Sequence, residues 1–142
     1  LQAWANHGKF DGANLDEEQK TLRAFYRQLL RVARSEKAIT LGEMYDLTYA
    51  QGEGFNKHEQ YAFLRKYKKQ TVLVLVNFDD RQVDVQVRIP QDAFEYLQLE
   101  SQVEAKAKDL LTGAEYTFPM NSYTPICLTL PAWTGVILKI KG

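Results

Sequence analysis

Cysteine is nearly absent: Cys127 is the single one in 142 residues. No intrachain disulfide can form, so the fold must rest on its apolar core. An excess of either charge is missing too, since 18 Lys and Arg stand against 18 Asp and Glu. Such a balance sets up no field to gather phosphate backbones, and no Lys/Arg-rich block occurs, so nucleic acid is not an expected partner. Long apolar runs are also lacking. Those at 72–76 and 136–138 fall far short of the roughly 18 residues that cross a bilayer, and the first residues lack the charged and apolar zones of a signal peptide. No membrane association is expected. The two histidines, His7 and His58, stand apart from each other and from any close Cys or carboxylate. Without that spacing, neither a zinc site nor any other metal or cofactor is expected.

What is present describes a folding chain. Hydrophobic residues make up 45% and charged residues 25%, far from the composition of disorder. Residues 1–14 have no sustained period and read as an irregular loop. Asn14 is a good helix N-cap with Glu17 three positions on, Asp16 and Glu18 suit the positive end of the dipole, and Leu22, Phe25, Tyr26, Leu29, Leu30 and Ala33 recur at helical spacing. A helix is expected over 15–34. Arg23, Arg27, Arg31 and Arg34 lie mostly off the apolar stripe and read as a solvated face.

From Ile39 the period changes to two and turn residues recur, the pattern of an antiparallel β-sandwich or barrel. The chain therefore divides into 1–38, a loop and one long helix, and 39–142, an all-β domain. Strands are expected near 43–48, 61–66, 71–77, 83–89, 96–99, 104–109, 115–118, 126–130 and 134–141. The second and third should form a hairpin about Lys69. Residues 72–76 are apolar at both parities and imply a strand covered on two faces. Val83, Val85, Val87 and Ile89 alternate with Asp84, Gln86 and Arg88, and Val136, Leu138 and Ile140 share one parity while Lys139 and Lys141 share the other, so those strands should each have one wet face. Cys127 is expected to be an inert buried thiol.

The segments Phe10-Asp11-Gly12-Ala13-Asn14-Leu15, Leu22-Arg23-Ala24-Phe25-Tyr26-Arg27 and Gly42-Glu43-Met44-Tyr45-Asp46-Leu47 come in that order. Later come Gln60-Tyr61-Ala62-Phe63-Leu64-Arg65, the apolar run ending in Asn77-Phe78, and Gly135-Val136-Ile137-Leu138 with Pro131 and Trp133 before it. Together they resemble the C-terminal end of the α-amylase family, glycoside hydrolase family thirteen. The resemblance implies the last helix of a (β/α)8 barrel followed by a Greek-key antiparallel sandwich, the domain C of that family. It also implies that the start at Leu1 is a cut within a longer glycosidase acting on α-glucans, for which a periplasmic or extracellular compartment is favoured over the cytoplasm.

The family's catalytic carboxylates project from barrel strands upstream of this chain, so none of its residues inherits a catalytic role. The expected function is a non-catalytic domain that stabilises the barrel, its principal partner. The alternative is a carbohydrate-binding module, in which exposed aromatics stack on the apolar faces of an α-glucan oligosaccharide. Trp133 and Tyr123 are its candidates, and Tyr45, Tyr49 and Phe55 also fall in or near loops. Trp4, Phe10 and Asp11 are candidate substrate contacts because the family's loop before the last helix rims the cleft. The helix over 15–34, deprived of the barrel, is expected either to drive self-association or to be covered by residues 1–14.

Overall fold

The computed structural model describes residues 17–52, 54–56 and 58–141. Its centre is an apolar Val/Leu run that can pack on both faces. Strand β3 (Gln70–Asn77) is buried from Thr71 to Asn77. It pairs antiparallel with β2 (Gln60–Tyr67) on one side, in a register running from Gln60↔Asn77 to Tyr67↔Gln70, and with β8 (Gly135–Ile140) on the other. The expected hairpin closes through Lys68 and Lys69, with Lys68 at φ +53°. Adding β1 (Glu43–Asp46), β5 (Gln102–Asp109) and β6 (Glu115–Met120) gives a six-stranded sheet in the order β1-β2-β3-β8-β5-β6. A two-stranded sheet of β4 (Val83–Val87) and β7 (Ile126–Leu130) completes an antiparallel sandwich.

The main core lies between these layers. Leu64, Leu73, Leu75 and Leu138 from the large sheet meet Val85, Val87, Ile126 and Leu130 from the small one, all buried. The wet face expected for β4 is observed, with Asp84 and Gln86 exposed between buried valines. Cys127 corrects the sequence reading. Ile126, Leu128 and Leu130 occupy the inward parity of β7, which leaves the thiol exposed.

Three local expectations fail for identifiable reasons. Residues 96–99 are not a strand, because α3 (Gln91–Leu97) starts directly after Pro90 and buries Ala93, Phe94 and Leu97 on its inner side. These three close one end of the main core, and the i, i+1, i+4 spacing is a helix stripe that the short alternation at 96–99 masked. Near Ile39, a short helix α2 (Lys37–Leu41) precedes β1, so the two-residue period begins at Glu43. Thr48 likewise leaves the strand for a 3-10 turn over Thr48–Ala50.

A second apolar layer covers the reverse face of the large sheet. Helix α1 (Glu17–Ser35) accounts for the described part of the helix expected over 15–34. Phe25 of α1 and Ala38 of α2 are buried with Val72, Val74, Val76 and Ile137, and Leu29 and Ile39 pack against them. This layer explains why β8 departs from simple alternation: Ile137, on the parity expected to be wet, is buried beneath it. The expected N-cap, Asn14, lies outside the described residues. Among the described residues no helix is long and apolar enough to cross a membrane.

Candidate interaction surfaces

Asn77 holds one end of the sandwich together. Fully buried, its Nδ2 donates to the carbonyls of Arg81 (2.9 Å) and Pro131 (3.0 Å) and, at 3.4 Å, of Leu130. Its Oδ1 accepts from Gln60 Nε2 at 3.1 Å and from the Asp79 amide at 2.9 Å. Gln51 makes a comparable clasp. Its Nε2 donates to the Leu47 and Arg88 carbonyls, at 2.8 and 2.7 Å, and its Oε1 accepts from the Arg88 amide at 2.7 Å. These contacts tie separate loops and strands of the sandwich together.

Beside Asn77, Glu59 and Asp79 form a carboxyl pair. The hydrogen bond to Asp79 holds the Glu59 carboxyl above its usual value, and the same bond, helped by Asp80 and Arg81, holds Asp79 below its own. Two carboxyls bonded to each other differ from the pair of a retaining glycosidase, which stands about 5 Å apart to admit the scissile bond. Among the described residues no group of three or more His, Cys, Asp or Glu could hold a metal ion.

Trp4, Phe10 and Asp11 lie outside the described residues. Trp133 sits at φ +57°, half-buried, its amide donating to the Asp79 carbonyl at 3.2 Å and its buried Nε1 without an acceptor among the described residues. Tyr123 is exposed in the turn after β6, where Asn121 Oδ1 accepts from its amide at 3.1 Å. Phe55 is part of the core.

At the β1 edge the structure gathers three rings that the sequence does not pair. Tyr45 on β1 lies 6.1 Å from Tyr49 of the 3-10 turn and 5.8 Å from Tyr96 of α3, between ring centroids. The Tyr45 and Tyr49 hydroxyls are hydrogen-bonded to each other, and Tyr96 donates to Glu43 Oε2 at 3.1 Å. The hydrogen bond with Tyr49, followed by burial, pushes the Tyr45 phenol up to about 12. Bonding to Glu43 raises that of Tyr96. Tyr96 was missed because it was assigned to a strand; the signal that could have found it is the apolar stripe of α3, which turns Tyr96 outward.

A third surface is the helical layer. Leu30 on α1, Leu41 on α2 and Met44 on β1 are exposed large apolar residues. Met44 pairs with Arg65, and Arg65 with Val72, so it belongs to the sheet face that carries α1.

A six-stranded antiparallel sheet, closed on one face by a small second sheet and on the other by helices, defines a β-sandwich domain with a helical backing. The chain belongs to the family described as "Alpha amylase, C-terminal all-beta domain", whose match covers residues 55–141. Among curated proteins no sequence matches. Solved structures share the fold. An Anoxybacillus alpha-amylase aligns at TM-score 0.58 and 16% identity over 96% of this chain and 26% of its own. The maltogenic alpha-amylase AmyB from Thermotoga neapolitana gives 0.58 and 11% over 82% and 25%. AmyP, in complex with maltose, gives 0.54 and 18% over 92% and 23%. The chain thus spans about a quarter of the length of these proteins.

Proposed function

We propose that this chain is the non-catalytic C-terminal part of an α-amylase-type glycoside hydrolase acting on α-glucans, and that it stabilises a catalytic barrel through its α1 face. The observation that carries the reading is the asymmetry of the two faces of the large sheet. One is covered by β4 and β7 with α3 at its end, while the helical layer on the other leaves Leu30 66% and Leu41 62% exposed. Large apolar groups held in water at the surface of an otherwise well-packed layer suit a partner domain that removes them from solvent. The bonded Glu59–Asp79 pair supports the non-catalytic reading, since it leaves no gap for a sugar between its oxygens.

The test uses Leu30→Glu combined with Leu41→Glu. In the isolated chain both sites are exposed, so melting should shift by no more than about 0.5 kcal/mol. In the full polypeptide the same pair should lower the melting temperature and the rate of α-glucan hydrolysis. Unchanged melting and hydrolysis of the full polypeptide would exclude docking through this face. Release of reducing sugar by the isolated chain would exclude the non-catalytic assignment.

A further inference from the structure

The edges of the two sheets are not equally guarded. A sheet edge presents unpaired backbone N–H and C=O groups, and natural proteins blunt it with charges, prolines, bulges or covering segments. In the large sheet, the edge strand β1 carries Glu43 and Asp46. The opposite edge, β6, carries Glu115 and Pro119 and lies beside a register shift in β5 between Gln102 and Ala105. In the small sheet, the outer edge of β4 is covered: the Gln86 amide donates to the Gly54 carbonyl at 3.0 Å and the Arg88 amide to Gln51 Oε1 at 2.7 Å. The edge of β7 differs. Its residues, Ile126-Cys127-Leu128-Thr129-Leu130, include neither charge nor proline, and β4 is its one strand neighbour among the described residues.

The register fixes which groups this edge offers. Gln86 stands opposite Cys127, and Asp84 opposite Thr129. Because the Gln86 amide turns away from β7 to reach Gly54, the alternation of an antiparallel ladder turns the amides and carbonyls of Cys127 and Thr129 away from β4. Both residues are exposed, and among the described residues these backbone groups have no partner.

We propose that β7 is an association edge whose occupant is the β7 of a second copy of this chain, the two pairing antiparallel about Leu128 so that the small sheets join as β4-β7-β7-β4. The flanking prolines select this partner and register. Pro125 and Pro131 lie three residues to either side of Leu128, on the outward parity of the backbone, and neither has an N–H to donate. A two-fold axis at Leu128 sets Cys127 against Thr129 of the second copy, and each such pair exchanges both of its backbone bonds. The prolines then face each other beyond the last bond, where no donor is required. An axis at Cys127 would set Pro125 against Thr129, and one at Thr129 would set Pro131 against Cys127; each leaves a carbonyl without its donor. The strand is thus complementary to itself in one register, and its lack of charge removes any repulsion between copies. The edge lies across the sandwich from α1, so the proposal does not rest on docking to a barrel.

The experiment is sedimentation equilibrium of the 142-residue chain over a concentration series, with variants that separate the surfaces. The mass should rise from one chain toward two. Thr129→Pro removes an outward N–H that the fold does not use, which an edge strand tolerates, and should abolish the dimer. Cys127→Lys, at an exposed position, places like charges across the two-fold and should abolish it as well, so the test survives if the proline variant does not fold. Leu30→Glu with Leu41→Glu should leave the dimer intact. The register is read by thiol trapping. Residues opposite each other in a bonded pair stand about 5.5 Å apart between Cα atoms, within the reach of a disulfide, whereas the two copies of Cys127 stand diagonally at about 7 to 8 Å. Under diamide, wild type mixed with a Cys127→Ser, Thr129→Cys variant should therefore form a covalent heterodimer, and neither should cross-link alone. A chain that stays monomeric throughout, or a dimer that both β7 variants retain, would overturn the proposal. So would a dimer lost in the Leu30→Glu, Leu41→Glu variant, which would assign association to the helical face, or wild type that cross-links alone as fast as the mixture.

Discussion

At the scale of single residues, the sandwich is held by polar groups as well as by its apolar core, and two of them, Glu59 and Asp79, titrate. Glu59 has a raised carboxyl, so its contribution to stability is full below its ordinary value of 4.5 and is lost as pH rises through the raised one. Asp79 is held low, so its contribution is present above 3.8 and lost as pH falls through the depressed value. Both operate fully only between 3.8 and 4.5. Glu59→Gln keeps a donor toward Asp79 at every pH. The variant should melt above the wild type at pH 7 and close to it near pH 4, read by melting temperature across that range. A variant less stable than the wild type at pH 7 would show that the bond is not what shifts the two groups. Asn77 illustrates how unevenly such roles can be read. Its place after an apolar run was visible as part of a resemblance, yet the carbonyls it caps, Arg81, Leu130 and Pro131, come from two separate loops that no local pattern joins.

At the scale of elements, legibility followed length and periodicity. The β2–β3 hairpin, the double burial of β3 and the wet face of β4 were readable because each is a strand whose burial is uniform or strictly alternating. The α1 helix was readable because its stripe, from Leu22 to Ala33, recurs over about three turns. Helix α3 was not, since seven residues are too few to separate a period of 3.6 from one of 2, and its stripe is completed only by contact with the core. The exposure of Cys127 was missed for a related reason: the alternation in β7 was visible, but which parity faces inward depends on the partner sheet. The tyrosine cluster was hidden by both effects, as it joins β1 to an unrecognised helix. For α1 itself, burial of Phe25, 2% exposed, means that the helix docks on the sheet without help from another domain. Phe25→Ala should therefore cost the isolated chain about 3 to 5 kcal/mol by denaturant unfolding. A loss below about 1 kcal/mol would place α1 off the sheet in solution.

At the scale of the molecule, the two faces of one sheet divide the work. The inner face and the small sheet make a core that the chain owns, while the helical layer ends in apolar side chains suited to another domain. Under the proposed reading, that second face docks on a (β/α)8 barrel of about 250 residues. The most direct measurement is the mass of the native product that carries this sequence, detected with an antibody raised against the chain. Docking on a barrel predicts a polypeptide of about 400 residues or more; a native product of 142 residues would contradict it.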